Sequence, residues 1–105
     1  MQTEADVTGQ SWELKQGHRL VGILVFEGQD MFWSDCRFEA GPGWADVRPL
    51  FERSRDAWRS GDTDAAIAAD EAIYAAGMVL QPSDGSDAIT DFLLRIEGDF
   101  ARFRC

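Results

Sequence analysis

Residues 19–40 read RLVGILVFEGQDMFWSDCRFEA, and this segment has the residue pattern of β-strands. It contains three β-branched and four aromatic residues, and a Gly-Gln pair at 28–29 divides it into two runs. Such runs predict strands, and glycine at the first central position favours a two-residue hairpin turn. We therefore predict strands over 19–27 and 31–40, joined by a tight turn at 28–29.

A further strand is predicted before this hairpin. Residues 11–15 alternate, with Trp12 and Leu14 on one side and charged residues on the other. Gln16-Gly17 is the predicted turn into the next strand. After the third strand, the run Gly-Pro-Gly at 41–43 ends the sheet segment, because both residue types interrupt regular structure.

Two helices follow in the sequence pattern. The first is predicted over about 46–60, with Asp46 as its N-cap, and the second over about 64–78, capped by Asp62 or Thr63. Gly61 separates them, so they form an αα-hairpin. Apolar or small side chains at helical spacing predict the inward stripe of the first helix, namely Val47, Leu50, Phe51, Ser54 and Trp58.

The chain ends in a second predicted hairpin. Residues 81–87 read as a loop, and strands at 89–97 and 100–105 flank a Gly98-Asp99 turn. The predicted fold class is α+β, with the order β-β-β-α-α-β-β. It is an antiparallel sheet of about five strands with the αα-hairpin packed on one face, and it forms a single domain over 11–105 after a flexible N-terminus at 1–10.

Strand register then predicts which side chains face the helices. With two-residue turns, Trp12 lies opposite Val21 and Val25 lies opposite Phe32. In the last hairpin, Phe92, Leu94 and Ile96 point inward. The predicted inward set of the first three strands is Trp12, Leu14, Val21, Ile23, Val25, Phe32, Cys36 and Phe38.

The opposite sheet face is unusual for a solvated surface, because large apolar side chains and arginines share it. Leu20, Leu24 and Asp35 are predicted to point outward with them. Aromatic residues, Met and Arg are enriched in protein interfaces. The predicted interaction face is Phe26, Met31, Trp33, Arg37, Arg95, Phe100, Arg102 and Arg104.

Arg95 and Arg102 are expected to lie opposite one another on this face, and an anion between them would ease their repulsion. The face then binds a partner protein, a second copy of the chain, or a ligand that carries an anion. In the alternative interpretation, residues 1–10 or 41–44 cover the face, and its arginines pair with Asp35, Glu97 and Glu13.

Charge narrows the range of partners. Nineteen acidic and ten basic residues give a net charge of −9, which disfavours binding to nucleic acids and to anionic membranes. Between Gly61 and Leu94 there are seven acids and no base. This stretch is a docking surface for a basic protein, or simply solvated acids that cap helices and form turns. No apolar run is long enough to span a bilayer, so we expect a cytoplasmic protein.

The sequence holds no recognisable catalytic motif. The single histidine, His18, is expected at an exposed hairpin tip, and Cys36 is expected to be a buried thiol, whereas Cys105 ends the chain. Asp84, Asp87 and neighbouring acids lack the ligand spacing of a calcium loop. We therefore predict no catalytic residues, no metal site and no cofactor.

The order of motifs resembles that of short bacterial, often actinobacterial, hypothetical proteins. It comprises W-x-L near the start, a hairpin with D-x-x-W at 30–33, RPLF at 48–51, and DFLLRIEGD at 91–99 after a DG loop. The resemblance spans 11–104 and implies a self-contained fold, with no activity, cofactor or catalytic residue attached to it.

The sequence as a whole favours a non-catalytic protein-interaction module over an enzyme. One form is an acidic inhibitor or immunity-type protein that covers a basic surface, and another is a homodimer joined through the outer sheet face. The alternative is a small-molecule binder or enzyme in which Trp33 is a stacking platform and Arg37, Arg95 or Arg102 holds an anion.

Overall fold

The computed structural model describes residues 9–105 and confirms the α+β class. Six strands form one antiparallel sheet in the order β4-β1-β2-β3-β6-β5. The strands are β1 (Ser11–Gln16), β2 (Arg19–Asp30), β3 (Trp33–Ala40), β4 (Met78–Pro82), β5 (Leu93–Glu97) and β6 (Phe100–Arg104), and the helices are α1 (Trp44–Ser60) and α2 (Thr63–Ala75). The predicted flexible segment 1–10 lies, up to residue 8, outside the described residues.

The strand that sequence reasoning missed is β4. The prediction continued the second helix to Met78, but Gly77 has φ +75 and the helix ends before it. MVLQP then pairs with β1 along its whole length. Such a short apolar run fits either a helix end or a strand. Here the pairing with β1 makes it a strand, and the local sequence pattern contains no information about that pairing. Of the predicted fourth strand over 89–97, only residues 93–97 form β5. Ile89, at its predicted start, instead forms an isolated bridge to Leu80 of β4.

Both turns of the first three strands differ from the prediction. They lie at Gly17-His18 and Met31-Phe32, because Gln16 pairs with Arg19 and Asp30 pairs with Trp33. The Gly98-Asp99 turn is confirmed, since Glu97 pairs with Phe100. The predicted register of β1, β2 and β3 was therefore wrong.

β2 also carries two extra residues. Val21 is unpaired between the Lys15–Leu20 and Leu14–Gly22 pairs, and Glu27 is unpaired between Phe26 and Gly28. Each bulge reverses which face the following side chains point to. Sequence periodicity alone contains no signal for these positions.

Because of the bulges, the side chains in the middle of β2 point to the face opposite to the predicted one. Leu24 is fully buried and Phe26 packs against the core, so their predicted outward placement was wrong. Ile23 and Val25 are half-buried on the other face, and Phe32 is exposed in the turn, so their predicted inward placement was also wrong. The predicted core positions Trp12, Leu14, Val21, Cys36 and Phe38 are confirmed.

The sheet curls around this core. Trp12 of β1 and Phe103 of β6 stack edge to face with centroids 4.8 Å apart, although β2 and β3 lie between their strands. In a flat sheet three strand spacings would separate them by roughly 14 Å. Curvature therefore brings the inward faces of distant strands together.

The helices complete the core. α1 contacts α2, β5 and β2, and it buries Val47 and Phe51. Its N-cap is Gly43 without a side-chain cap, and the predicted cap Asp46 instead forms an ion pair with Arg19 in the first turn. Gly61 ends α1 at φ +78, as predicted.

Asp62 caps α2 and confirms one of the two predicted caps, because its carboxylate accepts a hydrogen bond from the backbone N–H of Ala65 at 3.1 Å.

Within residues 9–105, neither helix has the length and apolar character needed to cross a membrane.

Candidate functional site

The centre of the predicted interaction face is a cluster of one indole and three guanidinium groups. The guanidinium carbons of Arg95, Arg102 and Arg104 lie 5.7, 5.1 and 5.4 Å from the ring centroid of Trp33. We refer to these four residues as the Trp33 cluster. Alternation along β5 and β6 places the three arginines on the face opposite Leu94, Ile96, Ala101 and Phe103, as the sequence predicted.

Arg102 is held firmly within the Trp33 cluster. Its Nε donates to Asp35 at 2.9 Å and a terminal nitrogen donates to Asp30 at 3.0 Å. These carboxylates raise the pKa of Arg102 above its ordinary value, first through the hydrogen bond that Arg102 donates to Asp35. The side chain is 27% exposed, so Arg102 is a fixed, permanently charged wall of the cluster.

Arg95 joins the cluster to the helices. Its guanidinium carbon lies 4.8 Å from the ring centroid of Trp58, and its terminal nitrogens donate to Asp70 at 3.3 and 3.4 Å. Ser54, which is buried, donates to the same carboxylate at 2.9 Å and lies 3.4 Å from Arg95. A helix-borne carboxylate therefore neutralises Arg95.

Arg95 and Arg102 lie directly opposite one another, which confirms the sequence prediction. Their repulsion is offset by carboxylates on each side: Asp70 on Arg95, and Asp30 and Asp35 on Arg102. A bound anion is not required to balance this pair. The predicted pairing of an outer arginine with Asp35 is thus confirmed, whereas Glu97 pairs with Arg59 and Glu13 pairs with Lys15.

Arg104 differs from the other two arginines. It is exposed, and no carboxylate of residues 9–105 lies within ion-pair distance of it. Its contact within the cluster is the face of Trp33. Arg104 therefore presents a positive charge on an aromatic support, a combination that suits recognition of a carboxylate on another molecule.

The turn beside Trp33 is the most exposed apolar feature of the described chain. Met31 is 80% exposed and Phe32 is 73% exposed. Met31 has φ +56, a conformation that costs a residue with a side chain roughly 1–2 kcal/mol. Strain and exposed apolar surface coincide here, which is typical of a binding element rather than of a structural turn.

Of three further residues predicted for this face, one points to the core side and two lie on the face itself. Phe26 points to the core side, where its ring centroid is 6.2 Å from that of Trp12, so its assignment to the interaction face was wrong. Arg37 pairs with Glu39 at 2.7 Å, and that hydrogen bond raises the pKa of Arg37. Phe100 is opposite Arg37 and partly exposed, on the same face.

Two concave regions border this surface. One, of about 230 Å³, is lined by Phe51, Ser54, Arg55, Trp58, Arg59, Arg95, Ile96, Glu97 and Phe100. Its volume is below the range of about 300–1,000 Å³ that encloses most small ligands. The other is an open groove of about 550 Å³ between α2 and β5, with Arg104 at its border. Neither region is a closed pocket around Trp33.

The candidate nucleophile and base are poorly placed for chemistry. Cys36 is fully buried, and burial together with Asp35 and Glu27 raises the pKa of its thiol to about 12. His18 is exposed at the first hairpin turn. Cys105 is exposed. Within residues 9–105, no three His, Cys, Asp or Glu side chains form a group that could hold a metal ion.

Sequence reasoning missed three exposed aromatic side chains. Phe32 was assigned inward because the turn was placed three residues too early, and Trp58 was assigned to the buried stripe of α1 although it is partly exposed. Tyr74 of α2 is also exposed. The available sequence signal was the D-x-x-W motif at 30–33, whose two middle residues are the observed turn.

Comparison with protein-family models, with curated proteins and with solved structures finds no match for this chain.

Proposed function

We propose that this protein is a non-catalytic interaction module that binds another protein through the Met31-Phe32 turn and the adjoining Trp33 cluster. The observation that carries the proposal is the exposed apolar pair on a strained turn, next to a fixed array of arginines on an indole. Trp, Tyr and Arg dominate the energetics of protein interfaces, and desolvated apolar side chains supply much of the affinity.

The rigidity of the surface supports the same function. Trp33 is held among Arg95 and Arg102, which are themselves held by carboxylates from the sheet and from α2. A preorganised surface loses little conformational entropy when it binds. Binding through such a surface requires no group with an activated nucleophile or base.

A partner-capture experiment tests the proposal. The wild-type chain, a Met31→Gly/Phe32→Ser variant and a His18→Ser control are immobilised and exposed to an extract of the source organism. We expect a protein that is retained by the wild type and by the control, and at least tenfold less by the double variant. His18 is a matched control because it also occupies the second position of a two-residue turn.

Sedimentation of the purified chain distinguishes the form of the interaction. A dimer that dissociates in the Met31→Gly/Phe32→Ser variant makes the partner a second copy. Retention of the same proteins by all three chains, or of none by the wild type, contradicts the proposal.

A further inference from the structure

The groove between α2 and β5 has an apolar floor and apolar walls. Ile73 and Leu94 are buried beneath it, while Tyr74 and Ile67 are 62% and 48% exposed along it. Leu93 is also partly exposed there. Exposed apolar side chains gathered along one groove are uncommon on monomeric proteins and mark binding sites.

Helical spacing explains why these walls exist. Ile67, Glu71 and Tyr74 are separated by four and three residues, so they share one stripe of α2. The stripe that α2 buries is a different one, formed by Ala66, Ala69 and Ile73. α2 therefore presents Ile67 and Tyr74 on a stripe beside the buried one, and the fold uses only the buried stripe to pack its core.

Charge defines the rim of the groove. Glu71 and Asp91 are exposed at its edge, and no basic group of residues 9–105 forms an ion pair with either. The third acid of the lining, Asp70, is occupied by Arg95. Where the groove meets the Trp33 cluster, Arg104 contributes the opposite charge.

We infer that this groove binds an apolar segment of the partner protein whose Lys or Arg side chains face Glu71 and Asp91, with an acidic group placed against Arg104. The inference rests on the proposed interaction function and specifies the chemistry of the partner. Opposite charges on the two surfaces favour encounter and exclude acidic competitors. The groove continues the proposed surface, because Arg104 belongs to both.

Charge also argues against the two occupants that this chain could supply. Residues 1–8 contain Glu4 and Asp6 and no basic residue, so they do not complement the acidic rim. A second copy would bring a net charge of −9 against a groove whose lining contains three acids, Asp70, Glu71 and Asp91, and one arginine. A basic segment of another protein meets neither repulsion.

The test uses a synthetic 14-residue amphipathic peptide of Leu and Lys with both ends blocked, and a counterpart with Glu in place of Lys. Binding to the purified chain is titrated by fluorescence anisotropy at 150 mM salt, where long-range attraction is screened within about 8 Å. We expect the Lys peptide to bind and the Glu peptide to bind at least tenfold more weakly.

Three double variants separate a groove from general attraction to an acidic protein. Ile67→Ser/Tyr74→Ser removes the apolar walls and should weaken the Lys peptide at least tenfold. Glu71→Gln/Asp91→Asn removes the rim and should weaken it about fivefold. Asp64→Asn/Asp87→Asn removes the same charge at exposed positions outside the groove lining, and should change the affinity less than twofold.

Any of three results would overturn the inference. The Asp64→Asn/Asp87→Asn control weakens binding as much as the rim variant does, or Ile67→Ser/Tyr74→Ser leaves binding unchanged. The third result is a dimer in sedimentation that Ile67→Ser/Tyr74→Ser dissociates, which would make the occupant a second copy.

The Met31→Gly/Phe32→Ser variant separates this inference from the proposed function. It lies outside the groove lining and should bind the Lys peptide like the wild type. If partner capture depends on the turn but the Ile67→Ser/Tyr74→Ser variant binds the Lys peptide like the wild type, the groove inference alone fails. If capture is also independent of the turn, the proposed function fails with it.

Discussion

Three two-residue turns connect strands in this protein, and one of them differs from the other two. Gly17-His18, Met31-Phe32 and Gly98-Asp99 all begin with a residue of positive φ, at +62, +56 and +61. Two of these positions hold glycine, which adopts this conformation without strain. The third holds methionine followed by phenylalanine, both exposed. The same backbone thus has a residue suited to stability at two turns and exposed apolar surface at the third.

The largest expected effect is a difference in modification rate between the two cysteines. It tests whether the hairpin that carries the exposed turn is ordered. Cys36 lies four residues beyond Phe32 and is fully buried, with a thiol pKa of about 12. Only about 10⁻⁴ of such a thiol is ionised at pH 8, and the thiolate is the reactive form. Iodoacetamide should therefore modify Cys36 at least about 1,000-fold more slowly than the exposed Cys105, as followed by peptide mass spectrometry.

Unfolding in urea is the control, because it should bring the two thiols to similar rates. Equal rates in the native protein would show that the hairpin frays. The pH dependence has a definite sign: the pKa of Cys36 is raised by folding from 9.0 to about 12, so the stabilisation is complete below pH 9 and is lost as the pH rises towards 12. The Cys36→Ala variant should lose unfolding free energy less steeply over that range.

The second prediction compares Trp33, which follows the second turn, with His18, which lies within the first turn. Trp33→Ala removes the ring that three guanidinium groups contact, each such contact contributing roughly 0.5–1 kcal/mol at a partly exposed site. We expect the free energy of unfolding to fall by about 2 kcal/mol in denaturant titrations. His18→Ala at the first turn should change it by less than about 0.5 kcal/mol. Similar small losses from both variants would mean that the Trp33 cluster is not a fixed structure.

The third prediction transfers the methionine to a glycine turn. Gly17→Met places a side chain at φ +62, where nothing lies within 4 Å of the new Cβ, so the substitution meets backbone strain and no clash at Cβ. The unfolding free energy should fall by about 1.5 kcal/mol. An unchanged value would show that Met31 is not strained, and the contrast between the turns would lose its energetic meaning.

The reverse change is the smallest expected effect. Met31→Gly relieves the strain at φ +56 but adds the conformational entropy of glycine in the unfolded chain, so the two partly cancel. We expect a gain of about 0.5 kcal/mol in unfolding free energy. Thermal denaturation followed by circular dichroism measures it, and a loss of stability would mean that the Met31 side chain contributes to the fold.

These turns also show how far the sequence determines the structure. The α+β class, the two helices and the Gly98-Asp99 hairpin follow from local patterns, because alternation, helical spacing and glycine at a turn act over a few residues. The alternation of β6 also placed Arg102 and Arg104 on the face with Trp33. The part of the candidate site on the last hairpin was therefore predictable.

The errors arose where non-local packing decides. The bulges at Val21 and Glu27 depend on which face meets the curled core, and β4 exists only through its pairing with β1. Gly28-Gln29 has a stronger turn preference than Met31-Phe32, so local propensity predicted the wrong turn. As a result, Phe32 was predicted to point inward.

The most direct test of the binding surface is photo-crosslinking in cells of the source organism. A photoreactive phenylalanine analogue is placed at position 32 in one chain and at position 18 in another, since both are exposed second positions of two-residue turns. We expect a discrete crosslinked protein from position 32 and none from position 18, with the yield reduced when Arg104→Ala is added. No crosslink at position 32, or the same products from both positions, would contradict the assignment of the Met31-Phe32 turn as the binding element.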